Sequence, residues 1–138
     1  MTYQLTIFLD NRPGRLNVLT GALSGGGINI RAMAIQDREE FGLVKLMVDR
    51  PDDALLLLKQ NGFACALKPV LAVYLADKVG GLHELTKILS DASLNIQDAY
   101  GMAAQSVFCI ESKQLEQIED VLEEKGFKIL SGPEAYGM

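Results

Sequence analysis

The 138-residue chain carries 13 Lys and Arg against 18 Asp and Glu, a formal net charge of −5, with 49% hydrophobic and 22% charged residues. That is the composition of a folded globular protein, and an acidic balance without Lys/Arg clusters speaks against nucleic acid or an anionic membrane as partner. No apolar run approaches the ~18 residues a membrane helix needs. The first residues lack the basic-then-apolar pattern of a signal peptide, so a cytoplasmic location is expected.

Residues from Tyr3 to Leu9 alternate, with Leu5, Ile7 and Leu9 on one face and Thr6 and Phe8 on the other, which predicts a strand. Pro13 suits the first turn of a helix, Leu16, Leu19 and Leu23 form its apolar stripe, and Gly25-Gly26-Gly27 ends it. Residues 28–35 and 43–49 read as two strands joined by a polar turn at Asp37-Arg38-Glu39-Glu40. Pro51-Asp52-Asp53 opens a second helix, Asn61-Gly62 closes it, and Phe63 to Lys68 is a strand. The pattern then begins again. Val70–Ala76 reads as a strand, Leu82, Leu85 and Leu89 stripe a helix, and strands follow near 95–100 and 106–111. A helix carries Leu115, Ile118, Val121 and Leu122, a strand ends near Leu130, and residues 132–138 read as a loosely held tail. Cys65 and Cys109 lie in apolar runs far apart and read as reduced core thiols.

The recurrence is a duplication. With Gly14 set against Gly80, Leu16 meets Leu82, Leu19 meets Leu85, Leu23 meets Leu89, Asn29 meets Asn95 and Ile30 meets Ile96. Further on, Leu58 meets Leu122 and Gly62-Phe63 meets Gly126-Phe127, so the second copy is shorter between about 34 and 42, where a loop between strands is expected to lose length. The repeated parts are roughly 3–68 and 70–131, within expected domains 1–69 and 70–138. Strand, helix, strand, strand, helix, strand is the order of a ferredoxin-like unit. The expected fold is therefore α+β. Two βαββαβ units pack side by side, with helices on one face of a continuous antiparallel sheet, since each alone is too small to bury a sizeable core. Phe8, Met47, Tyr74 and Cys109 are expected on the face away from the helices, and Leu56 points away from the sheet, so a homodimer is expected.

The segment Asp10-Asn11-Arg12-Pro13-Gly14-Arg15-Leu16 joins the first strand to the first helix and places backbone N–H groups at a helix N-terminus, an arrangement that suits a carboxylate or phosphate. Gly14 permits a close approach, and Asn11 offers both donors and an acceptor. Asn11 reads equally as the cap of a turn, and Asn29 as a polar residue at a strand start. Within one unit, topology puts Asn29 at the far end from the loop, unless a second unit brings its own copy alongside.

Asn11-Arg12-Pro13-Gly14-Arg15-Leu16 followed by Gly27-Ile28-Asn29-Ile30 resembles the ACT domain, a small amino-acid-binding regulatory module. Asp77-Lys78-Val79-Gly80-Gly81-Leu82 followed by Leu94-Asn95-Ile96 is similar to it more weakly, and together the two cover nearly the whole chain. The resemblance implies ligand bound between units, with Asn11 and Asn29 contacting the amino acid and Gly14 and Gly80 shaping the loops. Arg12, Pro13, Arg15 and Leu16 complete the first site, which residues near 95–97 of the partner unit, Asn95 among them, are expected to line, and Asp77 and Gly80 belong to the second loop. Asp77 stands where the pattern has Asn and would repel a carboxylate, and Val79 replaces Pro, so an asymmetric pair is expected, with loop 11–16 the better site. Gln97 and Met33 are candidates for selecting the side chain.

No cofactor or metal is expected, because no Cys/His/Asp cluster has ligand spacing and the one histidine, His83, lies in a helix's first turn. No catalytic residue is assigned. The alternatives are a ligand-free interaction module and, on fold analogy alone, an acylphosphatase-like enzyme using Arg12 or Arg15. The expected function is a non-catalytic sensor that binds a small amino acid and regulates a partner enzyme or regulator. In it the helix N-terminus takes the carboxylate, and Asn11 with a carbonyl or Asp77 takes the ammonium group.

Overall fold

The computed structural model describes residues 1–10 and 12–138, residues 37 and 38 by their backbone only. The elements are β1 (Thr2–Asp10), α1 (Arg15–Gly25), β2 (Ile30–Arg38), β3 (Phe41–Val48), α2 (Pro51–Gln60), β4 (Ala64–Tyr74), α3 (Gly81–Asp91), β5 (Asp98–Met102), β6 (Val107–Glu111), α4 (Leu115–Glu124) and α5 (Gly132–Tyr136). The strand order is β2-β3-β1-β4 in the first half of the chain and β4-β6-β5 in the second. Two compact units are present: a first of Tyr3–Lys68 and a second holding Met1–Thr2 and Pro69–Tyr136.

In the first unit β3 pairs antiparallel with both β1 and β2, so β1 and β2 run in the same direction. Alternation along β1 puts Leu5, Ile7 and Leu9 on the helix side. There they join Val44, Leu46 and Val48 of β3, Leu19 and Leu23 of α1, and Ala54 and Leu58 of α2 in one buried cluster. In the second unit β6 pairs antiparallel with β4 and β5. Leu71 and Val73 of β4 and Ile110 of β6 pack there under Leu85 and Leu89 of α3 and Ile118 and Leu122 of α4. The stripes read from the sequence are thus the faces that close each core.

Five local expectations change. Residues 63–68 and 70–76 do not form separate strands: β4 runs through Pro69. The first hairpin turns at Glu39-Glu40 alone, Glu39 taking a φ of 67°, so β2 extends to residue 38 and β3 starts at Phe41. The shortening of the second copy falls on the strands, since β5 and β6 have 5 residues each against 9 and 8 in β2 and β3. The strand near Leu130 is a single bridge, Val73 to Ile129. The tail folds into α5, with Gly132 and Ala135 buried and Glu134 paired to Lys128 at 3.0 Å.

Met47 and Cys109 are fully buried within the chain, so neither supports the argument from an uncovered apolar face; Phe8, Tyr74 and Leu56 do remain exposed. Both cysteines are free. Burial pushes the Cys109 thiol up to about 12, against a smaller opposing effect of the Tyr100 hydroxyl hydrogen-bonded to it. The Cys65 thiol is also raised by burial, partly offset by Lys59. Thiolate is the reactive form. At pH 8 the folded protein is expected to take up a thiol reagent slowly at Cys65 and not at Cys109 until it is unfolded. The sign for stability follows: the unfolded chain ionises Cys109 near its ordinary value of 9.0, so stability falls as pH rises from there to about 12.

Candidate functional site

The start of α1 is built by a glycine. Gly14 is the N-cap at φ 88°, a left-handed conformation that costs other residues about 1–2 kcal/mol. Among the described residues no side chain caps this helix. The backbone closes the turn instead, with Arg12 N–H donating to the Asp10 carbonyl at 2.8 Å, Arg15 N–H to the Arg12 carbonyl at 3.3 Å and Val18 N–H to the Gly14 carbonyl at 3.0 Å. A Cβ on Gly14 would meet nothing within 4 Å. Gly14→Ala is therefore expected to cost only the conformational term, about 1–2 kcal/mol in urea unfolding, and Gly14→Asn less.

Two arginines flank this turn and behave differently. Arg12 pairs with Asp10 at 2.8 Å, both side chains well exposed. Arg15, the first residue of α1, lays its guanidinium carbon 5.5 Å from the centroid of the Phe63 ring, and its Nε is buried without a hydrogen-bond partner among the described residues. The guanidinium is held over the ring. Pro13 is exposed in the turn, and Leu16 packs on the core cluster.

Arg12, Pro13, Gly14, Arg15 and Leu16 thus sit together at one end of the first unit. Asn11 lies outside the described residues. Asn29 lies at the start of β2, its N–H donating to Asp49 Oδ1 at 2.9 Å and its carbonyl accepting from Asp49 N–H at 3.0 Å. Because β1 and β2 run in the same direction, this is the end of the unit away from α1's first turn. In the second unit Gly80 repeats the left-handed cap at φ 82°, and no described side chain caps α3, so the exposed Asp77 does not cap the helix. Lys78 pairs with Glu84 at 3.3 Å across that turn. Asn95 donates its backbone N–H to Gln114 Oε1 at 3.0 Å, and its carbonyl accepts from Ser112 Oγ at 2.6 Å. It too belongs to the opposite end from its loop. Met33 and Gln97 are exposed.

The partnership of Arg15 with Phe63 escaped the sequence reading. The residues are far apart in the chain, and the one signal was that Phe63 recurs as Phe127 in the duplication. No group of three or more His, Cys, Asp or Glu among the described residues is arranged to hold a metal ion. No helix among them is long and apolar enough to cross a membrane.

Residues 1–132 match a family described as an ACT domain pair. The chain belongs to that family. Protein BT0572 from Bacteroides thetaiotaomicron is similar over 99% of this chain and 96% of its own at 30% identity, with a TM-score of 0.93. The regulatory subunit of aspartate kinase from Thermus thermophilus, in a ligand-free form, shares the fold at 15% identity with a TM-score of 0.64, over 90% of this chain and 92% of its own. Its counterpart from Thermus flavus does so at 15% identity and 0.56, over 88% and 90%. No curated protein matches. The ACT resemblance read from the two loops is thus the family of the whole chain, and the α+β fold of tandem βαββαβ units is the ACT pair fold.

Proposed function

We propose that the protein is a non-catalytic sensor that binds a small α-amino acid at the start of α1 and acts on a partner enzyme or regulator. The observation that carries the reading is the first turn of α1. There a left-handed Gly14 opens a helix N-terminus that no described side chain caps, beside an arginine whose Nε has no partner among the described residues. A carboxylate is the complement of that end of a helix. In this reading the amide groups of the turn and Arg15 take the carboxylate, and Asn11 with a backbone carbonyl takes the ammonium group. Asp77, Gly80 and Asn95 are the second unit's counterparts, with Asp77 less suited to an anion. The likeness to regulatory subunits of aspartate kinase supports a regulatory rather than a catalytic role only as a shared fold.

The reading includes a second copy of the chain. β2 stands at the end of the strand order, and Met33 and Ile35 on it are 46% and 52% exposed. An uncovered apolar edge strand is a pairing surface. Two β2 strands paired antiparallel about Ala34 would set Met33 against the second copy's Ile35, joining apolar to apolar. The same pairing carries the second copy's Asn29 to the end of the sheet where α1 begins, which answers the distance between Asn29 and the loop.

Calorimetric titration with the twenty amino acids tests the ligand. One or a few are expected to give saturable heat that Asn11→Ala removes; heat from none would discard the sensor in favour of an interaction module. Sedimentation tests the pairing, with Ile35→Lys expected to turn a dimer into a monomer. A wild-type monomer would remove the second copy from the site.

A further inference from the structure

We propose that the second unit carries a separate cleft for a guanidinium-bearing amino acid, of which free arginine is the simplest. The duplication sets Arg15 against Gly81, Val18 against Glu84 and Phe63 against Phe127. In the first unit the Arg15 guanidinium covers the Phe63 ring. In the second unit Gly81 contributes no side chain, and a cleft of about 230 Å³ opens where that guanidinium would lie, lined by Leu75, Lys78, Gly81, Glu84, Lys125 and Phe127. The opening is fixed by the backbone, because a Cβ on Gly81 would stand 2.9 Å from the Ala76 carbonyl oxygen. The first unit therefore fills with its own side chain a place that the second leaves for a free molecule.

The lining decides the chemistry. The face of an aromatic ring attracts a planar cation, and the first unit shows the pairing within the same fold. Where the first unit has Val18, the second has the Glu84 carboxylate at the rim, held at 3.3 Å by a single ammonium group of Lys78. A guanidinium meets a carboxylate through two parallel N–H donors, which the lysine cannot do, so it can take Glu84 from Lys78. Lys78, once released, and Lys125 then leave two positive charges on the same rim. A ligand that is only a cation is disfavoured by them, and one that also ends in a carboxylate is favoured. A guanidinium at one end and a carboxylate at the other describe arginine and its close analogues.

Titration of the full chain with arginine, agmatine and citrulline, followed by calorimetry and by NMR of the Gly81 and Phe127 amides, tests the site. Arginine is expected to bind. Citrulline, a neutral near-isostere, and agmatine, which lacks the carboxylate, are expected to bind about tenfold or more weakly. Glu84→Gln, on an exposed position, and Phe127→Leu, which keeps an apolar floor without the ring, should each weaken arginine by about five- to tenfold. The proposal is overturned if arginine gives no saturable shift of those amides, if citrulline equals it, or if neither variant alters its affinity. Arginine binding lost in Asn11→Ala and kept in Glu84→Gln would place the ligand at α1 and overturn the cleft while leaving the sensor reading intact. Binding lost in Glu84→Gln and kept in Asn11→Ala would separate the two the other way.

Discussion

Leu19→Ala and Leu85→Ala are each expected to lower the free energy of unfolding by about 2–5 kcal/mol. The two positions correspond in the duplication, and both side chains are fully buried. Leu19 is the middle of the α1 stripe against β1 and β3, and Leu85 holds the same place in α3 against β4 and β6. Truncation removes the transfer free energy of the lost methyl groups and leaves a cavity that helices tied to a sheet close only in part. Each unit's helix-side core is small, so one leucine is a large share of it. Urea unfolding followed by circular dichroism measures the loss as a lower midpoint at unchanged slope. A loss below about 1 kcal/mol at either position would mean that the stripe is not the core. The solvent-facing Val18→Ala on α1 serves as control, within about 0.5 kcal/mol of the parent.

What could be read from the sequence follows from where the information lies. The alternation of Leu5, Ile7 and Leu9 and the spacing of Leu16, Leu19 and Leu23 are local patterns, and burial obeyed them. The repeat multiplied their weight, because the same pattern had to be right twice. Boundaries were less legible. Pro69 suggested a break between strands, yet a proline within a strand loses only its own N–H, and β4 continues through it. The tail 132–138, with its Gly-Pro, gave no periodicity, and its order comes from contacts made after folding, including Lys128 with Glu134.

The site shows the same division. Gly14 was legible as a residue that permits a close approach, whereas its left-handed φ of 88° at the helix cap was not read. Phe63 under Arg15 was not, since nothing local marks a ring as the partner of a cation so far along the chain. Met47 and Cys109 illustrate the converse error. Their alternation put them on the face away from the helices, where exposure was expected, and both are fully covered. Alternation tells which side of a strand a residue takes, and says nothing about what else in the chain covers that side.

Saturation with the cognate amino acid is expected to raise the unfolding free energy by about 2.7 kcal/mol when the ligand stands at about a hundred times its dissociation constant. A sensor has to respond across metabolite levels, so a dissociation constant of about 0.01–1 mM is the useful range, equivalent to roughly 4–7 kcal/mol of binding. That is affordable from a few charge-assisted hydrogen bonds at a helix start together with one apolar contact. In a chain of this length the gain moves the melting temperature by several degrees, which a thermal-shift assay resolves. The rise must grow logarithmically with ligand concentration above the dissociation constant, because the linkage is mass action. It must also shrink with added salt, since the start of α1 is exposed and its charges are screened over a Debye length of about 10 Å at 0.1 M. Arg15→Met keeps an apolar stem over Phe63 and removes the guanidinium, so it is expected to keep most of the ligand-free stability while losing most of the ligand-induced rise. A rise that is indifferent to Arg15→Met, to Asn11→Ala and to salt would place the amino acid away from the first turn of α1, and the sensor reading would have to be rebuilt on another part of the molecule.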